Sequence, residues 1–423
     1  MLDINLIRTS PEKVKQALLK RLDSVDLDAI LDLDRKRREL IVESDALKMR
    51  KNTVSSTVQK QPKEAQQALF AEMKEISAKI KTLDAGAALV ETELGQLMAE
   101  LPNMPAEDVV AGGKENNAVL REWGTRPDFK FELKSHLDLS KSLGLIDYER
   151  GVKLGGTGFW VYRDMGARLE WALLNFFVET HLAKNYSFVL PPHVLNYECG
   201  YTAGQFPKFK DDVFLLASGD DKKVQFLLPT AETALISLHR DEIVKEDELP
   251  KKYFAYSPCY RKEAGGYGAN ERGMIRGHQF NKVELIRFTR PEDSPAAFEE
   301  MVADVESVMQ KLGLHYRAVK LAAKDVSASM ARTCDIEVWI PSMKGYKEVS
   351  SVSSANDYQA RRGNMRFKRA ATGKNEFVHT LNGSCLATSR LFPAIIEQFQ
   401  REDGSVVVPE ALRKFIGTDV ITI

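Results

Sequence analysis

The sequence predicts an α+β protein in which a long antiparallel α-helical hairpin, a coiled-coil arm, precedes a domain built on an antiparallel β-sheet flanked by helices. Apolar residues recur every seven positions between Leu69 and Leu101, which is typical of a coiled coil. Prolines and glycines then interrupt the chain up to Gly113, and beyond residue 120 short apolar runs alternate with helical patterns. We therefore expect an N-terminal domain at 1–105, whose arm spans about 27–101, and a second domain at 106–423.

The composition is that of a folded protein in a reducing compartment. Hydrophobic residues make up 43% and charged residues 28% of the 423 positions, which excludes a disordered or collagen-like chain. Sixty basic residues balance sixty acidic ones, so a nucleic acid would have to bind a local patch. The four cysteines form no CxxC pair, no apolar run is long enough for a bilayer, and the first ten residues do not resemble a secretory signal. We expect a cytoplasmic protein without a membrane partner.

Helices are expected throughout the N-terminal domain. Ser10 and Pro11 begin an amphipathic stretch that ends at about Lys20, since a polar N-cap followed by proline is a common helix start. The second arm helix carries two apolar heptad series, which are Leu69, Ile76, Leu83, Val90 and Leu97, and Met73, Ile80, Ala87, Leu94 and Leu101. The first arm helix carries one apolar series, Leu33, Leu40, Leu47 and Val54, and a mostly polar companion, Arg37, Ser44, Lys51 and Val58. Pro62 separates the two patterns, so we expect two helices of about 30 residues that fold back on each other.

The charge of the first arm helix points to a nucleic acid. Between residues 33 and 60, basic residues at 35, 36, 37, 38, 48, 50, 51 and 60 outnumber acidic residues at 34, 39, 43 and 45, a net of about +4. Such a surface would suit a phosphate backbone. A dimerisation or spacer coiled coil with a solvated mixed-charge face is the alternative.

The strands of the second domain are predicted from its apolar runs. These lie at 188–192, 224–228, 253–258, 282–288, 334–341 and 404–409. Parallel neighbours are usually joined by a helix, and few of the segments between these runs have a helical pattern. The sheet should therefore be antiparallel.

The segment YRKEAGGYGANERGMIRGHQF, at 260–280, combines charge with glycine. A strand leads into Arg261 and Glu263, which point to one side because strand side chains alternate, and a returning strand carries Phe280. An arginine fork suits phosphate and an aromatic ring suits a stacked base, so we interpret this hairpin as a nucleotide clamp. Its glycines match neither a Walker loop nor a dinucleotide loop. We expect the loop at 264–273 to move when ligands enter. Taken alone, the motif could also be an ordinary charged hairpin.

Further motifs carry a resemblance to a known family. They are Gly166–Glu170 at the start of a long helix, Pro191–Pro192, GQFPKF at 204–209, Thr230–Glu232, Glu348–Ser351, Asp357–Arg362 and LNGSCLATSRLFPAIIEQF at 381–399. With the hairpin, they resemble the three signature motifs of class II aminoacyl-tRNA synthetases, in the form found in bacterial-type seryl-tRNA synthetases. The resemblance follows the chain in order over nearly its whole length and includes the arm.

The resemblance implies a serine–tRNA ligase. Serine and ATP would form seryl-adenylate and pyrophosphate, and the seryl group would then pass to the 3′ end of tRNA(Ser), with tRNA(Sec) as a further acceptor. The implied partners are tRNA(Ser), L-serine, ATP and a second copy of the chain, in a homodimer formed through 166–192, and no DNA or membrane is implied. Displacement at the α-phosphate builds negative charge that positioned cations stabilise, so no protein nucleophile is required.

The resemblance also assigns an ATP site. Its candidate residues are Arg261, Lys262, Glu263, Arg276, Gly277, Phe280, Glu348, Val349, Ser350, Ser351 and Arg390. Arg261 would bridge the serine carboxylate and the α-phosphate, and Arg276 and Arg390 would hold the β- and γ-phosphates. Phe280 would stack on adenine against Arg390, while Glu263 would read the adenine amino group. The implied catalytic residues are Arg261, Arg390 and Glu348.

The implied serine site and metal site share residues with the ATP site. The serine candidates are Thr230, Ala231, Glu232, Arg261, Glu284, Asn382 and Ser384. Thr230 and Glu232 would receive the α-ammonium group, and Glu284 with Ser384 the hydroxyl. Alanine would be rejected because it leaves a buried acceptor unpaired, at about 1–3 kcal/mol per group. Glu348 and Ser351 would be ligands of Mg²⁺, which prefers such hard oxygen donors. The histidines show no metal-binding spacing, so His278 is expected to be structural.

Four residues depart from the family pattern. Cys385 and Ser389 stand where glycine is common, and Val352 and Ser354 stand where cysteine and asparagine are typical. Because the substitutes are small, we expect them to affect substrate selectivity and not the class of reaction.

Alternative functions remain open at this level. An enzyme of the same fold could activate another small amino acid or load a carrier protein, although carrier-loading relatives generally lack the arm and have zinc ligands. The protein could also be a non-catalytic paralogue that acts as an RNA-binding or regulatory protein. The retention of the candidate ATP residues argues against this alternative. The protein could also be an additional synthetase that confers resistance to a serine-analogue antibiotic, in which case the unusual stretches at 350–356 and 385–389 would be involved.

Overall fold

The computed structural model describes residues 1–217, 224–263 and 273–422, and the chain divides into two compact units, Met1–Pro102 and Asn103–Ile423. The helices of the first unit are α1 Ile4–Thr9, α2 Pro11–Leu18, α3 Asp28–Thr57 and α4 Lys63–Glu100. Within the described ranges, no helix is long and apolar enough to cross a membrane.

Helices α3 and α4 form the predicted antiparallel hairpin. Arg37 lies 3.6 Å from Glu91, whereas Glu43, one to two turns further along α3, lies 2.6 Å from Lys79. Residue numbers thus rise along α3 while they fall along α4. The turn occurs between Thr57 and Lys63, around the proline that was expected to break the helix. The predicted helical hairpin is confirmed.

The contact surface of the arm follows the heptads for most of its length and then shifts by one residue. Ile76, Leu83, Val90 and Leu94 are buried, but the next buried position is Met98, and Leu97 is 36% exposed. A straight α-helix has 3.6 residues per turn, so a strict spacing of seven drifts away from the contact surface. The assignment of Leu97 to the contact surface was therefore wrong.

The polar positions of α3 are accommodated by partners within the arm. Ser44 is buried and donates a hydrogen bond to Asp84 Oδ1 at 2.6 Å. Asp34 is buried and accepts hydrogen bonds from Arg8 at 2.8 and 2.9 Å and from Arg38 at 3.0 Å. These arginines hold the pKa of Asp34 below its usual range. Part of the positive charge counted on α3 is thus neutralised inside the unit.

The second unit is built on an eight-stranded sheet. The strands of the unit are β1 Ala118–Trp123, β2 Ile146–Asp147, β3 Val161–Tyr162, β4 Ser187–Phe188, β5 Val194–Asn196, β6 Leu215–Leu216, β7 Gln225–Leu227, β8 Ile243–Lys245, β9 Lys251–Tyr260, β10 Gln279–Thr289, β11 Tyr316–Lys320, β12 Arg332–Ile340, β13 Gly345–Asn356, β14 Arg366–Lys368, β15 Asn375–Phe377, β16 His379–Ala387, β17 Val406–Val407 and β18 Val420–Ile421. The order in the large sheet is β1-β11-β12-β13-β16-β10-β9-β4. Every neighbouring pair is antiparallel except β4 and β9. The predicted antiparallel sheet is confirmed.

Helices cover this sheet and enclose its core. They are α5 His136–Ser142, α6 Tyr148–Gly155, α7 Asp164–Leu182, α8 Tyr197–Ala203, α9 Ala231–Leu235, α10 Ser294–Lys311, α11 Tyr358–Arg362, α12 Thr388–Gln398 and α13 Glu410–Ile416. Helices α10 and α12 both contact the central strands β13 and β16. The apolar side chains of these elements form one continuous buried cluster, which holds the central strands in place.

Candidate active site

The predicted hairpin is formed by strands β9 and β10. The two strands pair antiparallel, with Phe280 opposite Cys259 and Glu284 opposite Ala255. The loop that was expected to move lies almost wholly outside the described residues. Arg261 follows the end of β9, and its backbone N–H donates to the carbonyl of His278 at 2.9 Å. His278 Nδ1 lies 3.0 Å from the carbonyl oxygen of Arg261, in keeping with a structural role for that histidine.

One pocket brings together most of the residues predicted for ATP. Its lining combines the hairpin, the middle of β13, and the junction of β16 with α12. The lining residues are Arg261, Glu263, Ile275, Arg276, Gly277, Phe280, Lys282, Glu348, Val349, Ser384, Ala387, Ser389 and Arg390. Lys262, Ser350 and Ser351 do not line it. The described contact of Lys262 is a backbone hydrogen bond to Asp212 at 3.0 Å.

One of the cations of this pocket, Arg261, lies beside an aromatic ring. The Arg261 guanidinium is 5.3 Å from the centre of the Phe280 ring, and Arg261 Nε donates to the carbonyl of Pro229 at 3.2 Å. Arg276 Nε donates to Glu263 at 2.7 Å, and Arg390 donates to the backbone carbonyl of Glu348 at 2.8 Å. Such a set can bind phosphate oxygens and stack a base. The arginine over Phe280 is Arg261 here, and stacking against Arg390 stays a prediction.

Gly277 is a glycine for a steric reason. A Cβ atom at this position would lie 2.2 Å from a ring carbon of Trp160 and 2.8 Å from the carbonyl oxygen of Gly158. Any other residue would push the returning strand away from Trp160, so the glycine keeps the floor of the pocket in place.

A cluster of buried polar groups centred on Glu284 adjoins the nucleotide side. Glu284 is fully buried and faces Ser384 across strands β10 and β16. Thr230 and Ser384 donate hydrogen bonds to Glu284 Oε2 at 3.2 and 3.3 Å. The ammonium of Lys282 contacts the same carboxylate oxygen and lies 2.7 Å from Thr230 Oγ1 and 3.0 Å from Ser384 Oγ. Sequence reasoning missed Lys282, although its position two residues before Glu284 puts both side chains on one face of the strand.

Glu232 reaches this cluster from helix α9. Thr230 caps the helix and accepts a hydrogen bond from the Glu232 N–H at 3.2 Å. The Glu232 carboxylate accepts from Gln359 Nε2 at 2.9 Å. Burial, followed by the nearby Glu284 carboxylate, raises the pKa of Glu232 to about 7, against the opposing effects of Lys282, Gln359 and Arg261.

The remaining serine candidates complete this side. Ala231 is buried, and so is Asn382, whose Oδ1 accepts no hydrogen bond from any group that the structure describes. Ser350 donates to the backbone carbonyl of Ser384, which ties β13 to the cluster. Arg261 and Ser384 thus lie between the pocket that contains Phe280 and the buried polar cluster centred on Glu284.

Two family models match the chain. The model described as the Seryl-tRNA synthetase N-terminal domain matches residues 1–105, and the tRNA synthetase class II core domain (G, H, P, S and T) matches residues 214–399. Serine--tRNA ligase 2 of Clostridium acetobutylicum is 59% identical over 99% of this chain and 100% of its own length. The chain belongs to the seryl-tRNA synthetase family.

Solved structures of seryl-tRNA synthetases agree with this assignment. The Pyrococcus horikoshii enzyme, complexed with ATP, superimposes with a TM-score of 0.93 at 33% identity and covers 100% of this chain and 99% of its own. The cytoplasmic Serine-tRNA ligase of Naegleria fowleri, in complex with AMP, gives a TM-score of 0.87 at 28% identity, with 100% and 99% coverage. The predicted family, fold and ligase class are confirmed. The chain is a serine–tRNA ligase, and the non-catalytic alternative is not favoured.

The two residues predicted for the metal, Glu348 and Ser351, lie on β13 beside the buried Asp335 of β12. Glu348 is partly exposed, and Ser351 lies opposite Asp335 in the sheet. Burial and the Glu348 carboxylate raise the pKa of Asp335 above its ordinary value. Asp335 Oδ1 is buried without a hydrogen-bond partner among the described residues. Within those residues, no cluster of three or more His, Cys, Asp or Glu side chains is arranged for a metal.

The four departures from the seryl-tRNA synthetase pattern lie behind or beside the pocket. Cys385 is fully buried, with its Sγ 3.1 Å from His181 Nε2, and Val352 is buried in the core. Ser389 lines the nucleotide pocket, and Ser354 donates to Asn356 at 3.2 Å. Cys385 and Val352 are packed in the core and do not line the pocket, so their effect on the pocket is indirect.

Proposed function

We propose that the pocket between β9, β10, β13 and β16 forms seryl-adenylate from L-serine and ATP, and that the seryl group then passes to the 3′ end of tRNA(Ser). The observation that carries this proposal is the junction at Arg261. That residue borders both the Phe280 side and the Glu284 side, which is where a carboxylate of the amino acid must meet the α-phosphate of ATP.

The nucleotide half would bind ATP through charge and stacking. Adenine would stack on Phe280 and be read by Glu263, while Arg276 and Arg390 would hold the β- and γ-phosphates. As the serine carboxylate attacks, Arg261 would stabilise the charge that builds on the α-phosphate. Arg276 and Glu263 are paired with each other at 2.7 Å. For ATP to bind in this way, the two side chains would have to separate in part and contact ATP instead.

The amino-acid half would read both polar ends of serine. The α-ammonium group would bind Thr230 and the ionised form of Glu232, and the side-chain hydroxyl would donate to Glu284 beside Ser384. Asn382 Oδ1 is a further buried acceptor near this site. Glu284 would be left unpaired by alanine or by a larger apolar side chain, since these supply the α-ammonium group but no hydroxyl, and an unpaired buried group is costly.

The residues around Glu348 fit Mg²⁺. The ion prefers hard oxygen donors and is bound by one or two carboxylates together with substrate phosphates, and the orphaned buried oxygen of Asp335 is consistent with an ion nearby. Glu348 and Ser351 would be the ligands, and Asp335 lies opposite Ser351 in the sheet. When bound, the ion would neutralise phosphate charge.

A homodimer would form through α7 and β4. Strand β4 is an edge of the large sheet, and Trp171, Leu182, Phe188 and Leu190 are 58%, 50%, 41% and 69% exposed on these elements and the residues that follow. An open sheet edge beside exposed large apolar groups is a typical interface. A second copy is the partner expected here, because the same region resembles the dimer-forming motif. We expect the enzyme to work in the cytoplasm, where tRNA is used.

The arm is proposed to bind tRNA, and shortening it tests this. Since Arg37 and Glu91 lie 3.6 Å apart, residues 38–90 can be replaced by a short Gly/Ser linker that keeps the base of the hairpin. We expect serine-dependent ATP–pyrophosphate exchange to stay within about twofold, while charging of a tRNA(Ser) transcript falls by about 100-fold or more through lost phosphate contacts. Unchanged charging would contradict a role of the arm in tRNA binding.

The same variant tests whether the tRNA spans two subunits. A heterodimer of the arm-shortened subunit and an Arg261→Ala subunit should charge tRNA(Ser), whereas neither homodimer should. Separable affinity tags on the two subunits allow the heterodimer to be purified. A heterodimer without charging activity would show that each tRNA uses the arm and the pocket of one subunit.

A further inference from the structure

Lys282 is a buried lysine for which the reaction described above has no role. It lies on β10, is 5% exposed, and carries its ammonium group into the cluster around Glu284. Lysine is almost never buried unless it is paired, because removing its charge from water is costly. Its partners therefore indicate why it is there.

All three hydrogens of the ammonium group have acceptors in this cluster. They are Thr230 Oγ1 at 2.7 Å, Ser384 Oγ at 3.0 Å and Glu284 Oε2. Because the two hydroxyl oxygens accept from Lys282, their own hydrogens are available to donate. Both are within hydrogen-bond distance of Glu284 Oε2, at 3.2 and 3.3 Å.

The two oxygens of Glu284 are thereby made unequal. Oε2 receives Lys282 and both hydroxyls, whereas Oε1 is buried and receives no hydrogen bond from the residues that the structure describes. A carboxylate held by three donors at one oxygen cannot rotate without breaking them. One charged acceptor, Oε1, is left in a fixed position for a ligand that donates a hydrogen bond.

We propose that Lys282 is a positioning residue that sets the selectivity for serine, by holding the Glu284 carboxylate so that Oε1 accepts the hydroxyl of the substrate. The inference rests on the proposed role of Glu284 in binding that hydroxyl. Without the lysine, Glu284 would lose its counter-charge inside a buried cluster that also holds Glu232 and Arg261. A rotated Glu284 would distinguish serine from alanine poorly.

Pyrophosphate exchange by Lys282→Met tests the proposal, because methionine keeps the volume and removes the charge. We expect the KM for serine to rise by about 30-fold, the KM for ATP to stay within about twofold, and the ratio of kcat/KM for serine over alanine to fall by about tenfold. Lys184→Met is the matched control. Its ammonium group lies 2.8 Å from Asp304 Oδ1, away from the pocket, and should leave the ratio unchanged.

A double-mutant cycle with Glu284→Gln separates positioning from other roles. With glutamine at 284 no carboxylate remains to be held, so adding Lys282→Met should cost less than about threefold in kcat/KM for serine. The double variant also lacks a buried unpaired charge, so it gives a folded protein even if the single lysine variant is unstable.

Two results would overturn the proposal. One is an unaltered serine-to-alanine ratio in folded Lys282→Met. The other is an equal cost of Lys282→Met in the wild-type and Glu284→Gln backgrounds, which would mean that the lysine contacts the substrate itself or only supports the fold. Either result would leave serine-dependent exchange by the wild-type enzyme intact, whereas failure of the proposed function would abolish that exchange in the wild type.

Discussion

Replacement of Arg261 by alanine is expected to lower serine-dependent pyrophosphate exchange by about 10³-fold. Arg261 borders both halves of the pocket and would be the cation closest to the charge that develops on the α-phosphate. A cation that acts mainly in the transition state lowers kcat and kcat/KM together when it is removed. We therefore expect a smaller change, about tenfold, in the KM values for serine and ATP.

Arg317→Ala is the matched control for this result. Arg317 also lies over an aromatic ring, 4.1 Å from the centre of Tyr346, and pairs with Glu337 at 2.6 Å, but it is not part of the pocket lining. It should retain exchange within about threefold. If Arg261→Ala lost no more activity than Arg317→Ala, the role proposed for Arg261 at the reacting phosphate would be wrong.

The KM for serine in the wild-type enzyme is expected to rise about tenfold for each pH unit below about 7, the pKa of Glu232. The proposed ligand of the substrate ammonium is the ionised carboxylate, and the pKa of this group is raised. Glu232 is therefore charged above pH 7 and neutral below it, so protons compete with serine on the acid side. The KM for ATP should stay flat over the same range, because the ATP candidates do not include Glu232.

Two isosteric variants assign this pH dependence to its group. Glu232→Gln removes the titrating carboxyl and should give a high KM for serine that no longer varies with pH. Glu170→Gln is the control, since burial also raises the pKa of Glu170 to about 7, but its carboxylate hydrogen-bonds to Asn281 and Thr388 and lies outside the pocket lining. The proposed ammonium site would be contradicted if the KM for serine still varied with pH in Glu232→Gln and no longer varied with pH in Glu170→Gln.

The overall fold could be predicted from the sequence because its signals are local and repeated. The heptads of α4 and the proline before it are sufficient to predict the hairpin. The six apolar runs each overlap a strand of the structure, although the run at 188–192 contributes only its first residue to β4. The six runs do not include β1, β11, β13 or β16 of the large sheet, and β1 is exposed along its whole length.

The site was predicted by resemblance and only partly from the residues. The hairpin carrying Arg261 and Phe280 is visible in the charge and strand pattern, and the pocket lining contains most of the ATP candidates. Contacts between strands that are distant in the sequence cannot be predicted from such local patterns. The position of Asp335 opposite Ser351 depends on the register of β12 and β13, which no local pattern determines.

The burial of Lys282 and the contact surface of the arm are two further features that could not be predicted from the sequence. A lysine in an alternating strand is usually read as solvent-facing, and only the packing of Thr230 and Ser384 around it makes it buried. The shift from Leu97 to Met98 depends on the accumulated twist of a long helix and not on any single residue.

The central claim is that this pocket selects serine, and ATP–pyrophosphate exchange measured separately with each of the twenty amino acids tests it most directly. The wild-type protein should exchange with serine in the absence of tRNA, and alanine should be slower by about 100-fold or more in kcat/KM, since it leaves the buried acceptor unpaired. Threonine should be excluded by its extra methyl group. Exchange with a different amino acid in preference to serine, or with none, would contradict the account.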